Sequence, residues 1–217
     1  MLAAPVETLA MTMTPGHQPV MLREVLELLA PRAGGAYLDA TFGGGGHTGA
    51  LLAVGGTRVV ALDRDPAAAT RAAALREAHG DRFRLIDTDF GRLGELPDTG
   101  FDGILFDLGV SSPQLDDAAR GFSFRFDAPL DMRMDISRGM SAAQWLAVAE
   151  ESEIREVIKH HGEERFAKQI AAAIVAARAR KSVATTRELA GIVAAAVRTR
   201  EPGQDPATRT FQALRIF

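Results

Sequence analysis

Four consecutive glycines, Gly43 to Gly46, constrain this chain more than any other stretch. They follow the apolar segment "AYLDATF" and lead at once into "HTGALLAVG", which reads as a helix. A glycine turn between a parallel strand and a helix brings main-chain N–H groups and the helix N-terminus against a ligand. A phosphate-gripping loop wants Gly-Lys-Ser/Thr at its end. Here Gly46 is followed by His47-Thr48, so a P-loop fits poorly. Gly44, Gly46 and Gly49 match G-x-G-x-x-G. In a run of four glycines that match discriminates little, and NAD-like and other nucleoside cofactors both stay open.

Around this turn the chain alternates strand and helix. "RVVALDRD" (Arg58 to Asp65) is a second strand, residues 82–90 a third and 101–109 a fourth. Asp65-Pro66 supplies an N-cap and N1 proline for an alanine-rich helix to about Ala78. Strands alternating with helices imply βαβ units, hence a parallel sheet with right-handed crossovers. After Gly109 the pattern becomes loop-rich, and from Ser141 it becomes helical without a strand. Ser141 caps "AAQWLAVAEE", Glu163 begins "EERFAKQIAAAIVAARARK", and Thr185 or Thr186 caps "RELAGIVAAAVRTR". Asp205-Pro206 opens a last helix with Phe211, Leu214 and Phe217 at spacings of three.

Composition narrows the class. The chain has 217 residues, no cysteine and a net charge of −3. Disulfides and thiolate metal sites are excluded, and no metal centre is expected. No apolar run approaches the roughly 18 residues of a membrane helix, and the first residues lack the positive region of a signal peptide. A cytoplasmic protein fits these features. Charge is uneven: residues 1–150 hold 13 Lys/Arg against 20 Asp/Glu, and residues 151–217 hold 12 against 8. The C-terminal third is therefore a candidate surface for an anionic partner, although solvated helix faces give the same count.

Three strand ends carry carboxylates: Asp63, Asp89 and Asp107. Ionised Asp only accepts hydrogen bonds, so Asp63 suits both hydroxyls of a ribose. Asp89 suits an adenine amino group and Phe90 its ring face. Phosphates would be repelled by such a set. S-adenosylmethionine (AdoMet) fits better, with Asp107 serving its cationic end. Each aspartate alone is equally consistent with capping the next helix.

The segments "HQPVMLREVLELL", "YLDATFGGGGHT", "ALDRDP", "DGILFDLGVSSPQLDDAARGFSF", "PLDMRMD", "EERFAKQIA" and "DPATRTFQALRI" together resemble the MraW family. These are bacterial methyltransferases of the cytidine N4 amine in small-subunit ribosomal RNA. The resemblance runs from His17 to Ile216 and implies an α/β, class I AdoMet-dependent methyltransferase fold: a Rossmann-like parallel sheet with an inserted all-helical domain. By the same resemblance Gly45, Gly46 and His47 contact AdoMet, Asp63 holds its ribose, and Phe90, Asp107 and Gln114 complete the cofactor site. On the residues alone, His47 could merely cap backbone groups at the helix start. The implied domains are a loose leader (1–16), an AdoMet-binding α/β domain (17–112), a loop-rich and helical insertion (113–204), and the start of a helix returning to the α/β domain (205–217). The family pattern continues past the last residue, so the last sheet strands are expected to be missing and the sheet to read 3-2-1-4.

The implied substrate is 16S rRNA within the small subunit, with neither DNA nor membrane. A cytosine amine is a poor nucleophile that must be oriented, with its N–H groups accepted. Asp107, Ser111 and Ser112 are the candidate catalytic residues, although Ser-Ser-Pro also reads as a plain turn. "GFSFRF" (121–126) and Trp145 are candidate walls of a base pocket. Arg178, Arg180, Lys181, Arg187, Arg198 and Arg200 are candidate phosphate contacts. An AdoMet-binding but non-catalytic fragment is the alternative. A nicotinamide dehydrogenase rests on the glycine spacing alone.

Overall fold

Successive residues of the two central strands are buried alike, Tyr37 with Leu38 and Ala61 with Leu62, so both faces of the sheet are covered there. A computed structural model describes residues 19–197, 203 and 205–217. Four parallel strands, β1 (Ala36–Asp39), β2 (Arg58–Asp63), β3 (Phe83–Asp87) and β4 (Gly103–Leu105), stand in the order β3-β2-β1-β4. This is the Rossmann-like sheet and strand order expected from the sequence. The strands carry helices α1 (Leu22–Leu29), α2 (Gly46–Ala53), α3 (Ala68–Arg71) and α4 (Ala73–His79). Leu26, Tyr37, Phe42, Leu51, Val59 and Phe83 meet in one apolar core. The switch point of this order lies between β1 and β4, and the glycine turn follows β1 there.

The fourth strand is shorter than residues 101–109. Ala40 N–H still bonds the Leu105 carbonyl, but the Asp107 N–H donates to the Thr41 hydroxyl at 2.7 Å. That side chain takes the bond a strand neighbour would have offered, and the ladder stops. As an edge strand β4 leaves Ile104 and Phe106 about half exposed.

The chain divides into two compact units at Ser111/Ser112. The second holds α5 (Ser112–Asp116), a looped stretch, then α6 (Ala142–Val148), α7 (Glu151–Gly162), α8 (Ala167–Arg178), α9 (Thr186–Ala196) and α10 (Thr208–Ile216). Ser141 and Thr185 cap α6 and α9 through capping boxes with Gln144 and Glu188. Glu163 does not begin a helix. It ends α7 in the left-handed region (φ 51°), and Glu164 then accepts the Phe166 N–H at the entry to α8. Helix α10, expected from the sequence to lead back to the sheet, packs against α7 in this unit. The fit is close enough that a Cβ on Gly162 would lie 2.4 Å from the Arg209 carbonyl oxygen. Among the described residues no helix is long and apolar enough to cross a membrane, and no His/Asp/Glu group could hold a metal.

Candidate functional site

The four glycines have four different reasons to lack a side chain. Gly43 has φ +52°, and a Cβ there would lie 3.3 Å from Ser111 Cβ. Gly45 has φ +78°, and its Cβ would meet the Phe42 ring at 2.8 Å. A Cβ on Gly46 would fall 2.3 Å from Pro19 Cγ. Gly44 is different. It avoids the left-handed region, it is exposed, and a Cβ would meet nothing within 4 Å. Among the described residues neither strain nor packing requires glycine at position 44, as is also true of Gly55, Gly94 and Gly191. Gly44 alone of these stands in the turn after β1, where a bare backbone leaves room for a ligand.

The carboxylates gather behind this turn. Asp63, at the end of β2, accepts from Gly43 N–H (3.1 Å) through Oδ2 and from Asp65 N–H (2.9 Å) through Oδ1. Among the described residues two of its four lone-pair positions are used at hydrogen-bond distance, with an Arg71 nitrogen 3.5 Å from Oδ2. Burial pushes its carboxyl above the ordinary value, against the pull of those N–H groups and of Arg71. Asp39, at the end of β1, is fully buried. It accepts from Thr48 Oγ1 (2.7 Å) and Thr41 N–H (3.1 Å), and desolvation raises its carboxyl too. It ties strand end to helix start and so fixes the pitch of the glycine turn. The sequence placed Asp39 inside a quoted motif without giving it a role; its signal was a carboxylate four residues before the glycines.

His47 is buried at the start of α2. A carbonyl only accepts, so Nε2 donates to Val20 O (3.0 Å), and Nδ1 faces Asp107 Oδ2 at 3.8 Å. The Asp107 side chain is about half exposed. Phe90 opens a short 3₁₀ segment after β3, half exposed and edge-on to Phe106 at 5.8 Å. Phe106 was not singled out from the sequence, since it reads as strand core. Asp89 is engaged in its own turn, accepting Gly91 N–H at 2.8 Å. Gly44, Gly45, His47, Asp63, Phe90, Asp107 and part-buried Ser111 therefore all lie at or just beyond the carboxyl ends of β1, β2, β3 and β4 in the first unit, His47 on the first turn of α2 and Asp63 as the last residue of β2. Ser112 and Gln114 open the second unit on α5, with Gln114 buried.

Several candidates for RNA contact have other work. Phe122 is fully buried and Phe124 packs edge-on against Phe211, leaving Phe126 as the exposed ring of that run. Trp145 packs on Phe217 at 4.7 Å. Arg178 caps α6, donating through one nitrogen to the Leu146 and Ala149 carbonyls at 2.6 Å each. Lys181 pairs with Glu188, whose carboxyl falls to about 2 under that contact and two backbone N–H groups. Arg180 and Arg187 are exposed; Arg198 and Arg200 lie outside the described residues.

Residues 14–217 match the MraW methylase family. A Thiobacillus denitrificans protein named ribosomal RNA small subunit methyltransferase H is 60% identical over 211 residues, covering 94% of this chain and 67% of its own length. Proteins of the same name from Chromobacterium violaceum and Neisseria meningitidis serogroup A are 57% and 55% identical. They cover 93% of this chain and 64% and 63% of their own lengths. The chain thus spans about two thirds of the length of these relatives. A match over residues 14–217 and relatives 55–60% identical show that the chain belongs to the MraW methylase family.

Proposed function

We propose that this protein methylates the N4 amine of a cytidine in 16S rRNA of the small ribosomal subunit, with AdoMet as donor. The observation that carries the reading is the bare glycine at position 44 beside a carboxylate that uses two of its four acceptor positions at hydrogen-bond distance. That pair fits a nucleoside whose ribose offers two hydroxyls. It does not fit a phosphate, which Asp39, Asp63 and Asp107 would repel. When bound, AdoMet supplies a methyl group activated by its sulfonium. The open oxygens of Asp63 receive the ribose hydroxyls. The Phe90 ring faces the adenine, and Gly45, Gly46 and His47 line the turn. Asp107 lends negative potential to the cationic end of the donor. Gln114 is assigned to the donor on family resemblance alone.

The acceptor side rests on Ser111 and on Ser112, joined to it by one peptide bond. Oxygens there would accept the N–H groups of the amine and orient its lone pair toward the donor's methyl group, so that the N–CH3 bond would form as S-adenosylhomocysteine leaves and one amine proton passes to solvent. Exposed Arg180, Arg187 and Phe126 are the proposed RNA contacts of the helical unit. Tritiated-methyl transfer onto undermethylated small subunits tests the proposal. Label in 16S rRNA that digests to N4-methylcytidine supports it; label on another atom or another RNA contradicts the substrate. AdoMet binding without transfer would reduce this chain to the donor-binding part of the activity.

A further inference from the structure

Arg71 ends the four-residue helix α3, and no sequence motif marked it. Its side chain is only 19% exposed. Nε donates to the Gly43 carbonyl at 2.8 Å, and one terminal nitrogen lies 3.5 Å from an oxygen of both Asp63 and Asp65. The Gly43 N–H in turn bonds Asp63, so arginine, glycine turn and carboxylate close a ring. Among the described residues Arg71 is the sole cation paired with Asp63. The 3.5 Å spacing matters. A guanidinium at full hydrogen-bond distance would occupy the lone pairs that a diol needs, whereas at 3.5 Å its charge offsets burial and leaves those positions open.

We infer that Arg71 is a positioning residue, holding the glycine turn and the Asp63 carboxylate as one rigid, ionised acceptor for the donor's ribose. The inference rests on the reading that AdoMet binds at this turn. Around Asp63 the charged groups are Asp65 on the same loop, Asp87 in register on β3 and Arg71 on α3. Without Arg71, Asp63 faces Asp65 and keeps no paired cation among the described residues, since Arg64 between the two is exposed and makes no ion pair with Asp63. Burial already pushes the Asp63 carboxyl up, so removing the cation raises it further. A protonated carboxyl donates one hydrogen bond and loses acceptor capacity. Binding is then lost as pH falls through that raised value.

Calorimetry with S-adenosylhomocysteine and its 2′-deoxyribose analogue, on the full 217-residue chain, separates positioning from plain packing. The unsubstituted chain is expected to prefer the ribose form by about tenfold, the value of one hydrogen bond to a charged acceptor. In Arg71→Met that preference collapses toward unity, and the remaining affinity falls off at higher pH than in the unsubstituted chain. Arg71→Lys keeps the charge and the pH profile but loses the Gly43 tether, so its preference drops partway. Should Arg71→Met fail to fold by circular dichroism, Arg71→Lys decides alone. A ribose preference that survives in the folded variants overturns the inference even if overall affinity drops. No binding by the unsubstituted chain would instead defeat the proposed function.

Discussion

The first unit buries Asp39, His47, Thr48, Thr57 and Asp65, and the second buries Gln114, Glu164, Thr186 and Thr210. The partners differ. In the helical unit the Thr186 hydroxyl takes the Ala128 N–H and gives to the Phe126 carbonyl, and Glu164 caps α8. Each such bond joins chain to chain. In the sheet unit Asp39 and Asp63 sit where burial raises both carboxyls, and Asp63 keeps acceptor capacity beside an exposed glycine. A part-buried carboxylate that keeps acceptor capacity is the feature of the sheet unit that the bonds within the fold do not account for.

Substitutions can break that contrast, beginning with the largest effect. Gly121→Ala in the helical unit places a Cβ 2.3 Å from the Pro129 carbonyl oxygen at φ +69°. It should cost about 3–5 kcal/mol in denaturant titration, the range of strained backbone combined with overpacking. AdoMet affinity, read on the folded fraction, should be unchanged. Next, Thr48→Val removes the hydroxyl from buried Asp39 and should cost about 1–3 kcal/mol near neutral pH. The sign follows from the direction of the shift. The folded carboxyl of Asp39 already lies above its ordinary value of 3.8, and losing a donor to the ionised form raises it further. Stability present below 3.8 is lost as pH rises through the folded value. The deficit of Thr48→Val should therefore widen from acid toward neutral pH, and a deficit that narrows would contradict the burial account. Thr185→Ala deletes the cap of α9 and should cost about 1 kcal/mol at any pH, with donor binding untouched. Arg23→Ala, in an exposed pair with Glu27, should leave the unfolding midpoint where it is.

What the sequence disclosed divides by range of interaction. The caps at Ser141 and Thr185 depend on neighbours three residues away, and the glycine turn and central strands are marked by local residue patterns; each stands where its pattern put it. Asp205, by contrast, turns the chain ahead of α10, whose N-cap is Ala207. The end of β4 depends on Thr41, 66 residues earlier, which no local pattern displays. Glu163 in a left-handed C-cap defeated a reading that treats glutamate as a helix starter. Arg71 and Arg178 reach carbonyls 28 and 32 residues away, so both look like surface charges in a string of letters. At the site, Asp63 was legible because it ends β2, while Asp89 and Asp107, read as strand ends, fall just beyond β3 and β4. Gly44 could not be told from its three neighbours until each backbone and each contact was known.

Gly44→Ala is the most direct test, because it alone among the four glycines separates ligand from fold. Its Cβ enters open space at a φ that alanine tolerates. The unfolding midpoint should therefore hold within about 0.5 kcal/mol of the unsubstituted chain, while AdoMet affinity measured by calorimetry falls about tenfold or more. Unchanged affinity in a normally stable variant would contradict a donor seated against that turn.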